Sequence, residues 1–197
     1  MAILEWIAVI ASLAYVILAS YNNIFCWPAA MISTILYTFI FYEYYLWSDS
    51  ALQVYYLVMA IYGWYCWRDN KLQPNNSLKI TTWPLINHIK AIFILAILSM
   101  CVGYLMANYT PTHFPYLDAT TTVFAIFATY LVTQRVLENW LYWIVIDFVS
   151  IYLYVEKALL PTAFLFSLFV IIAFFGYFKW LKLLNPNDSA LTEKTAY

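Results

Sequence analysis

The residue best placed to do chemistry in this sequence is Asp147, an acid within a long apolar stretch. It follows Trp140 by seven residues, which places it roughly 10 Å into a helix that rises about 1.5 Å per residue. Trp143, Asp147 and Ser150 have the i, i+4 and i+7 spacing of one helix face. The pattern predicts a stripe of aromatic and polar groups around a buried carboxyl group.

Three further polar groups lie in other apolar stretches, namely Tyr37, Gln53 and Tyr56. A carboxylate beside indole and phenol rings attracts a flat cation, because charge pairing and cation–π attraction both strengthen where water is excluded. Amide and hydroxyl groups would then recognise ribose or amino-pyrimidine edges. The alternative is that Asp147 is protonated, or bonded to a neighbouring Tyr or Thr, and holds the helices together.

No arrangement typical of an enzyme is visible. The two histidines, His88 and His113, are expected on opposite faces of the molecule, so they form neither an acid–base pair nor a metal site. The three cysteines lack metal-ligand spacing, and three scattered glycines form no phosphate-binding loop. We therefore expect no catalytic residues, no metal and no cofactor. A net charge of −1 gives no reason to expect nucleic acid as a partner.

The composition is that of an integral membrane protein. The chain of 197 residues is 65% hydrophobic and has only 19 charged residues, too few to cover a soluble domain. Apolar stretches of a length that crosses the bilayer predict seven transmembrane helices. They lie near Ile3–Ser20, Ile24–Leu46, Ala51–Trp67, Ile89–Asn108, Ala119–Thr133, Asn139–Val155 and Pro161–Leu181.

The basic residues predict how these helices face the membrane. With seven crossings, Lys157 alone falls on one side, and the other eight basic residues fall on the opposite side: Arg68, Lys71, Lys79, Lys90, Arg135, Lys179, Lys182 and Lys194. The positive-inside rule then predicts an outer N-terminus and a cytoplasmic C-terminus in a multi-pass membrane protein.

The sequence also repeats itself. A shift of 113 residues aligns seven identical residues over 41 positions without a gap, among them Trp27 with Trp140, Gly63 with Gly176 and Trp67 with Trp180. Because a single span between two three-span units restores the chain direction, the copies are expected to be parallel. The predicted units are 1–67 for the first repeat, 68–118 for a loop, linker helix and outer loop, 119–184 for the second repeat, and 185–197 for a disordered cytoplasmic tail.

Several segments resemble the PnuC family of bacterial vitamin transporters. They include Cys26-Trp27-Pro28, the Tyr-Gly-Trp-x-x-Trp string at 62–67 and the Glu-Asn-Trp-x-x-Trp string at 138–143. The resemblance implies a SWEET-like arrangement of three, one and three helices. It also implies facilitated diffusion of nicotinamide riboside, trapped inside by a separate cytoplasmic kinase.

The resemblance also implies site residues. It implicates Gln53, Asn139, Trp140 and Trp143, whereas Asp147 departs from relatives that have an amide there. Related members carry thiamine or riboflavin, so the vitamin stays open. In the leading interpretation Asp147 balances a cationic vitamin, the two tryptophans flank its ring, and Gln53, Ser150, Tyr37, Tyr56 and Asn139 supply polar contacts.

Three other interpretations stay open. The cargo could be thiamine or another B vitamin. Asp147 could carry protons and couple uptake to the membrane gradient. The chain could also be a structural partner that delivers substrate to a cytoplasmic enzyme. Membrane lipid is an expected partner in every case, and the sequence leaves a homo-oligomer open.

Overall fold

The computed structural model describes residues 2–43, 47–69, 79–110, 112, 114–156 and 160–184. Seven α-helices make up this part of the chain, so the all-helical class is confirmed. Their bounds are α1 Ala2–Ser20, α2 Cys26–Glu43, α3 Trp47–Asp69, α4 Leu85–Tyr109, α5 Pro115–Thr133, α6 Asn139–Glu156 and α7 Leu160–Leu184. The predicted tail at 185–197, the basic residues Lys71, Lys157 and Lys194, and His113 lie outside the described residues.

Four of the described helices, α1, α4, α5 and α7, are long and apolar enough to cross a membrane. The other three helices carry Gln53, Asp147 and the tryptophans predicted at the site, and these polar and aromatic groups lower their hydropathy. Large apolar side chains lie exposed on the outer surface, among them Phe93 at 67% and Phe175 at 69%. An outer surface of this kind is stable against lipid rather than water.

The helices pack in neighbouring groups. Helices α1 and α3 both pack against α2, α6 packs against α5 and α7, and α4 packs against α5. Contacts of α1 with α7 and of α3 with α5 close the group of six helices around a common centre.

The turns that follow α1 and α5 have the same conformation. Asn22 and Arg135, which are 113 residues apart, have left-handed φ angles of 52° and 53°. In each turn the amide of the left-handed residue donates to the carbonyl three residues before it. The amide of the following residue donates to the carbonyl five residues before itself, as in a Schellman motif. The following helix, α2 or α6, then begins four residues after the left-handed residue in both cases.

Four buried tryptophans, Trp27, Trp67, Trp140 and Trp180, form a tryptophan cluster at one end of the bundle. Trp27 meets Trp67 edge-on at 5.2 Å and 87°, and Trp140 meets Trp180 at 5.5 Å and 88°. Trp67 Nε1 donates to the carbonyl oxygen of Thr133 at 3.1 Å, and Trp180 Nε1 donates to that of Ala19 at 3.0 Å. The last turns of α3 and α5, and those of α7 and α1, are therefore tied together at this end.

A short extended segment before α4 is bonded to the turn between α5 and α6. The Thr81 amide donates to the Arg135 carbonyl at 3.0 Å, and the Leu137 amide donates to the Thr81 carbonyl at 2.8 Å. The Trp83 amide also donates to Glu138 Oε2 at 3.3 Å. This segment fixes the start of α4 against the second group of helices.

Two glycines allow the cluster to form. A Cβ atom at Gly176 would lie 2.7 Å from the Trp140 ring, and one at Gly63 would overlap the Trp27 ring. Each indole therefore lies directly on the backbone of a neighbouring helix, α7 or α3. Because the two contacts are equivalent under the 113-residue shift, they are the part of the repeat that packing constrains most tightly.

We expect Gly63→Ala and Gly176→Ala each to destabilise the protein by about 1–3 kcal/mol, since the added methyl group must displace a packed indole. Thermal unfolding in detergent would measure this. Gly103→Ala tests the same effect outside the tryptophan cluster and should also destabilise the protein, because a Cβ atom there would lie 2.5 Å from the Tyr116 ring on the α4–α5 contact. A thermal midpoint that is unchanged in both Gly63→Ala and Gly176→Ala would contradict the packing argument.

Candidate functional site

A cavity of about 360 Å³ lies in the middle of the bundle. All helices except α4 contribute to its wall, as far as the described residues show. The polar and aromatic residues of the wall are Ser12, Tyr15, Trp27, Ser33, Thr34, Tyr37, Gln53, Tyr56, Thr121, Thr122, Thr129, Trp140, Trp143, Asp147, Ser150, Phe166 and Phe169. This volume is near the lower end of the roughly 300–1,000 Å³ typical of small-molecule sites.

Asp147 is the one charged residue among the described residues that line the cavity. It lies in the middle of α6 and is 3% exposed, so its carboxyl group faces the protein interior rather than the lipid. Trp143 and Ser150 lie on the same wall, as the helical spacing predicted. A carboxyl group enclosed at this depth favours a cationic partner, because water is not there to solvate its charge.

Hydroxyl groups around the cavity direct their protons away from it. Thr34 Oγ1 donates to the Ala30 carbonyl at 2.9 Å, and Thr129 Oγ1 donates to the Ala125 carbonyl at 2.8 Å. Each hydroxyl thus uses its proton on its own helix and keeps oxygen lone pairs for a ligand. Together with Asp147, these oxygens make the wall rich in hydrogen-bond acceptors.

Two indole groups supply unused donors. Trp27 and Trp140 line the cavity, and their Nε1 atoms are buried without a hydrogen-bond partner. A buried donor without a partner is costly, so a ligand oxygen that accepts from it gains binding energy. Trp143 is only half-buried. It is therefore the indole best suited to lie against a flat ring.

The structure places seven of the eight predicted site residues in this wall: Asp147, Trp143, Trp140, Gln53, Ser150, Tyr37 and Tyr56. Asn139 is not among the residues that line it. Its side chain is fully buried at the start of α6, where Nδ2 donates to the Val136 carbonyl at 2.7 Å. This amide therefore stabilises the turn before α6 rather than facing the cavity.

Other wall residues were absent from the sequence-based prediction of the site. Trp27 and Thr34 occupy the positions that the 113-residue shift aligns with Trp140 and Asp147, so the repeat carried the signal for them. Tyr15 and Thr129, on α1 and α5, had no such signal, because neither helix contains a predicted site residue. Among the described residues, no three of His, Cys, Asp and Glu come together in a way that could hold a metal ion.

Comparisons with known proteins identify relatives over almost the whole chain. Residues 2–182 match the family model described as Nicotinamide mononucleotide transporter. Proteins named Nicotinamide riboside transporter PnuC in Escherichia coli and Shigella flexneri are each 26% identical over 213 residues, covering 94% of this chain and 88% of the relative. The protein of that name in Haemophilus influenzae is 33% identical over 73 residues, covering 36% of this chain and 31% of the relative.

One solved structure has a similar fold. It is titled Crystal structure of the Vitamin B3 transporter PnuC, and it matches with a TM-score of 0.76 and 20% sequence identity. The match covers 93% of this chain and 82% of that chain. At this level of identity the likeness establishes a common fold.

The position of Asn139 leads to a test of its role. We expect Asn139→Ala to destabilise the protein by about 1–2 kcal/mol, because it removes a buried hydrogen bond at the start of α6. Thermal unfolding in detergent would measure the change. Gln53→Ala removes an amide at the cavity wall and should lower the thermal midpoint less. Equal losses in the two variants would contradict the structural role of Asn139.

Proposed function

The chain belongs to the nicotinamide mononucleotide transporter family, whose model matches residues 2–182, and from this we propose that it carries nicotinamide riboside across the bacterial inner membrane. The family is one of membrane transporters and not of enzymes. The observation that carries the proposal is a central cavity whose one charged wall residue, among those described, is the buried acid Asp147.

Nicotinamide riboside fits this wall chemically. Its pyridinium ring is flat and positively charged, which suits the Asp147 carboxylate and the half-buried Trp143 ring. Its ribose hydroxyls can donate to the acceptor oxygens of Thr34 and Thr129. The names of the relatives in Escherichia coli and Shigella flexneri favour the same cargo.

The wall argues against the phosphorylated nucleotide named in the family description. A phosphate group brings up to two negative charges into the cavity, and no Lys, Arg or His is among the described residues that line it. A dianion next to Asp147, with no cation among the described wall residues to balance it, would be repelled. We therefore propose the riboside rather than the mononucleotide as the cargo.

We propose that the helices form two parallel three-helix repeats, α1–α3 and α5–α7, with α4 as the linker. The matched turns at Asn22 and Arg135 and the matched tryptophan pairs support this. So does the meeting of the last turns of α1 with α7 and of α3 with α5 at one end, because it gives the odd-numbered helices a common direction. The absence of α4 from the described cavity wall fits a linker role. In such transporters the cargo binds between the repeats near the middle of the membrane.

The orientation and energy source are also proposals. Arg68 and Lys182 lie in the last turns of α3 and α7, and Lys90 lies near the start of α4. All three positions are at or next to the end that contains the tryptophan cluster. The positive-inside rule therefore favours that end as the cytoplasmic one. The sequence has no phosphate-binding loop, which favours facilitated diffusion. Phosphorylation of the cargo by a separate cytoplasmic kinase would then keep it inside the cell.

We expect Asp147→Asn to weaken nicotinamide riboside binding by at least about tenfold, since the amide keeps the shape of the side chain but not its charge. Tryptophan fluorescence of the purified protein, titrated with nicotinamide riboside, would measure the affinity. Asp118→Asn is the control, because Asp118 lies in the first turn of α5 outside the cavity wall.

The same titration with thiamine, riboflavin and nicotinamide mononucleotide ranks the cargo candidates. Nicotinamide riboside should bind most tightly and the mononucleotide least. Tighter binding of thiamine would assign the protein to that vitamin instead. Unchanged affinity in Asp147→Asn would remove the acid from the site.

Reconstitution in liposomes distinguishes facilitated diffusion from proton coupling. With the membrane potential held at zero by potassium and valinomycin, uptake of nicotinamide riboside should stop at equal concentrations and ignore a pH gradient. A potential of about 100 mV, negative inside, should instead drive roughly 50-fold accumulation of a monovalent cation. Accumulation driven by the pH gradient alone would establish coupling through a proton.

A further inference from the structure

Arg135 is a buried cation that the cavity does not use. It is 2% exposed, and it lies in the turn between α5 and α6 rather than in the cavity wall. Its Nε, Nη1 and Nη2 atoms are buried and have no hydrogen-bond partner among the described residues. Among those residues no carboxylate forms an ion pair with it. The Arg135 guanidinium lies over the Trp67 ring, with Cζ 4.1 Å from the ring centre.

The tryptophan cluster lies between the cavity and this end of the bundle. Trp27 and Trp140 line the cavity, while Trp67 and Trp180 lie behind them and are 0% exposed. The Trp67 and Trp180 rings are 6.3 Å apart, so the four rings form a continuous row. A solute that leaves the cavity at this end must separate these rings. Arg135 therefore lies on the closed side of the barrier.

The burial of this charge works against the closed barrier. An unpaired guanidinium group that is held away from water is costly, and the cation–π contact with Trp67 offsets only part of that cost. Burial lowers the pKa of Arg135 to about 10, against the raising effect of the neighbouring Cys26 and Cys66 thiols, so the group remains charged at neutral pH. Separation of the rings would admit water to the guanidinium and remove this cost.

We propose that Arg135 is a gating residue of the transport cycle, whose buried charge, unpaired among the described residues, destabilises the closed tryptophan cluster and so favours opening at this end. The proposal rests on the transport function inferred above. The equivalent position in the first repeat is Asn22, which has the same left-handed backbone but no charge. The gating charge is therefore a property of the second repeat alone.

Arg135→Asn is the most informative variant. It removes the charge, places the Asn22 residue type in the matched turn, and tolerates a left-handed φ angle. We expect the initial rate of nicotinamide riboside uptake to fall by about tenfold or more while the affinity changes by less than about threefold. The thermal midpoint should rise, because an unpaired buried charge is lost. A structural role for Arg135 would instead lower rate and stability together.

Two further variants give the comparison its controls. Arg135→Lys keeps the charge and should retain most of the transport rate. Lys179→Gln removes a second cation that lies over an aromatic ring, 2.8 Å from the Tyr21 centroid, but this lysine is only half-buried. The uptake rate of Lys179→Gln should stay within about twofold of wild type, since a half-buried charge that water can reach is already hydrated. The proposal is wrong if Arg135→Lys transports as poorly as Arg135→Asn, or if Lys179→Gln does.

A native cysteine reports opening without any cargo. Cys26 is fully buried at the start of α2, next to Trp27, and its thiol lies within electrostatic reach of Arg135. In a Cys66→Ser, Cys101→Ser background, a membrane-impermeant maleimide should label Cys26 at least about tenfold more slowly when Arg135 is replaced by Asn. Because loss of the nearby cation also lowers the thiolate fraction of Cys26, the rates are measured over a range of pH and compared per thiolate. Equal labelling rates would overturn the gating role. Because labelling needs no cargo, this result stands apart from any failure of nicotinamide riboside to bind.

Discussion

A carboxyl group held away from water has to face other protein groups, and this constraint organises the centre of the molecule. Asp147 is 3% exposed, so six helices surround it and their outer faces are left apolar. Threonine hydroxyls meet the same constraint by donating their protons to the preceding turn of their own helix. The result is a small chamber in which oxygen lone pairs and one acid face inward.

The chamber is closed at one end by aromatic rings that rest directly on helix backbones. Gly63 and Gly176 bring α3 and α7 close enough for the indoles of Trp27 and Trp140 to lie against them. The outer pair of indoles then donates to carbonyl groups at the ends of α5 and α1. The glycine–indole contacts occur twice, 113 residues apart, and the acceptors of the two indole hydrogen bonds fall within one residue of the same shift, so one local solution serves both halves of the chain.

Hydropathy located all seven helices but placed several of their starts too late. The predicted fourth helix began at Ile89 and the fifth at Ala119, whereas α4 begins at Leu85 and α5 at Pro115. The helical hydrogen bonds begin before the apolar stretch does. Hydropathy alone therefore misses a first turn that contains polar residues. The helical class and the order of elements follow from the sequence because long apolar stretches leave few alternatives.

The site was less visible than the fold. Spacing along α6 placed Trp143, Asp147 and Ser150 on one wall, since a helix fixes the direction of residues three and four apart. The Glu-Asn-Trp-x-x-Trp string also predicted Asn139 at the site, but its side chain bonds to the turn before α6, because a residue at the start of a helix can turn back to the preceding turn. Arg135 read as one of several surface cations, and its burial depends on tertiary packing that no local pattern encodes.

The extended segment before α4 has a mechanical consequence. Thr81 is bonded on both sides to the turn between α5 and α6, and α4 packs along α5. The extended segment and α4 are thus attached to the half of the chain that contains α5–α7 and move with it. Any rocking of the two halves would set a body of three helices against a body of four, and the larger body would carry both the acid in the chamber and the cation at its closed end.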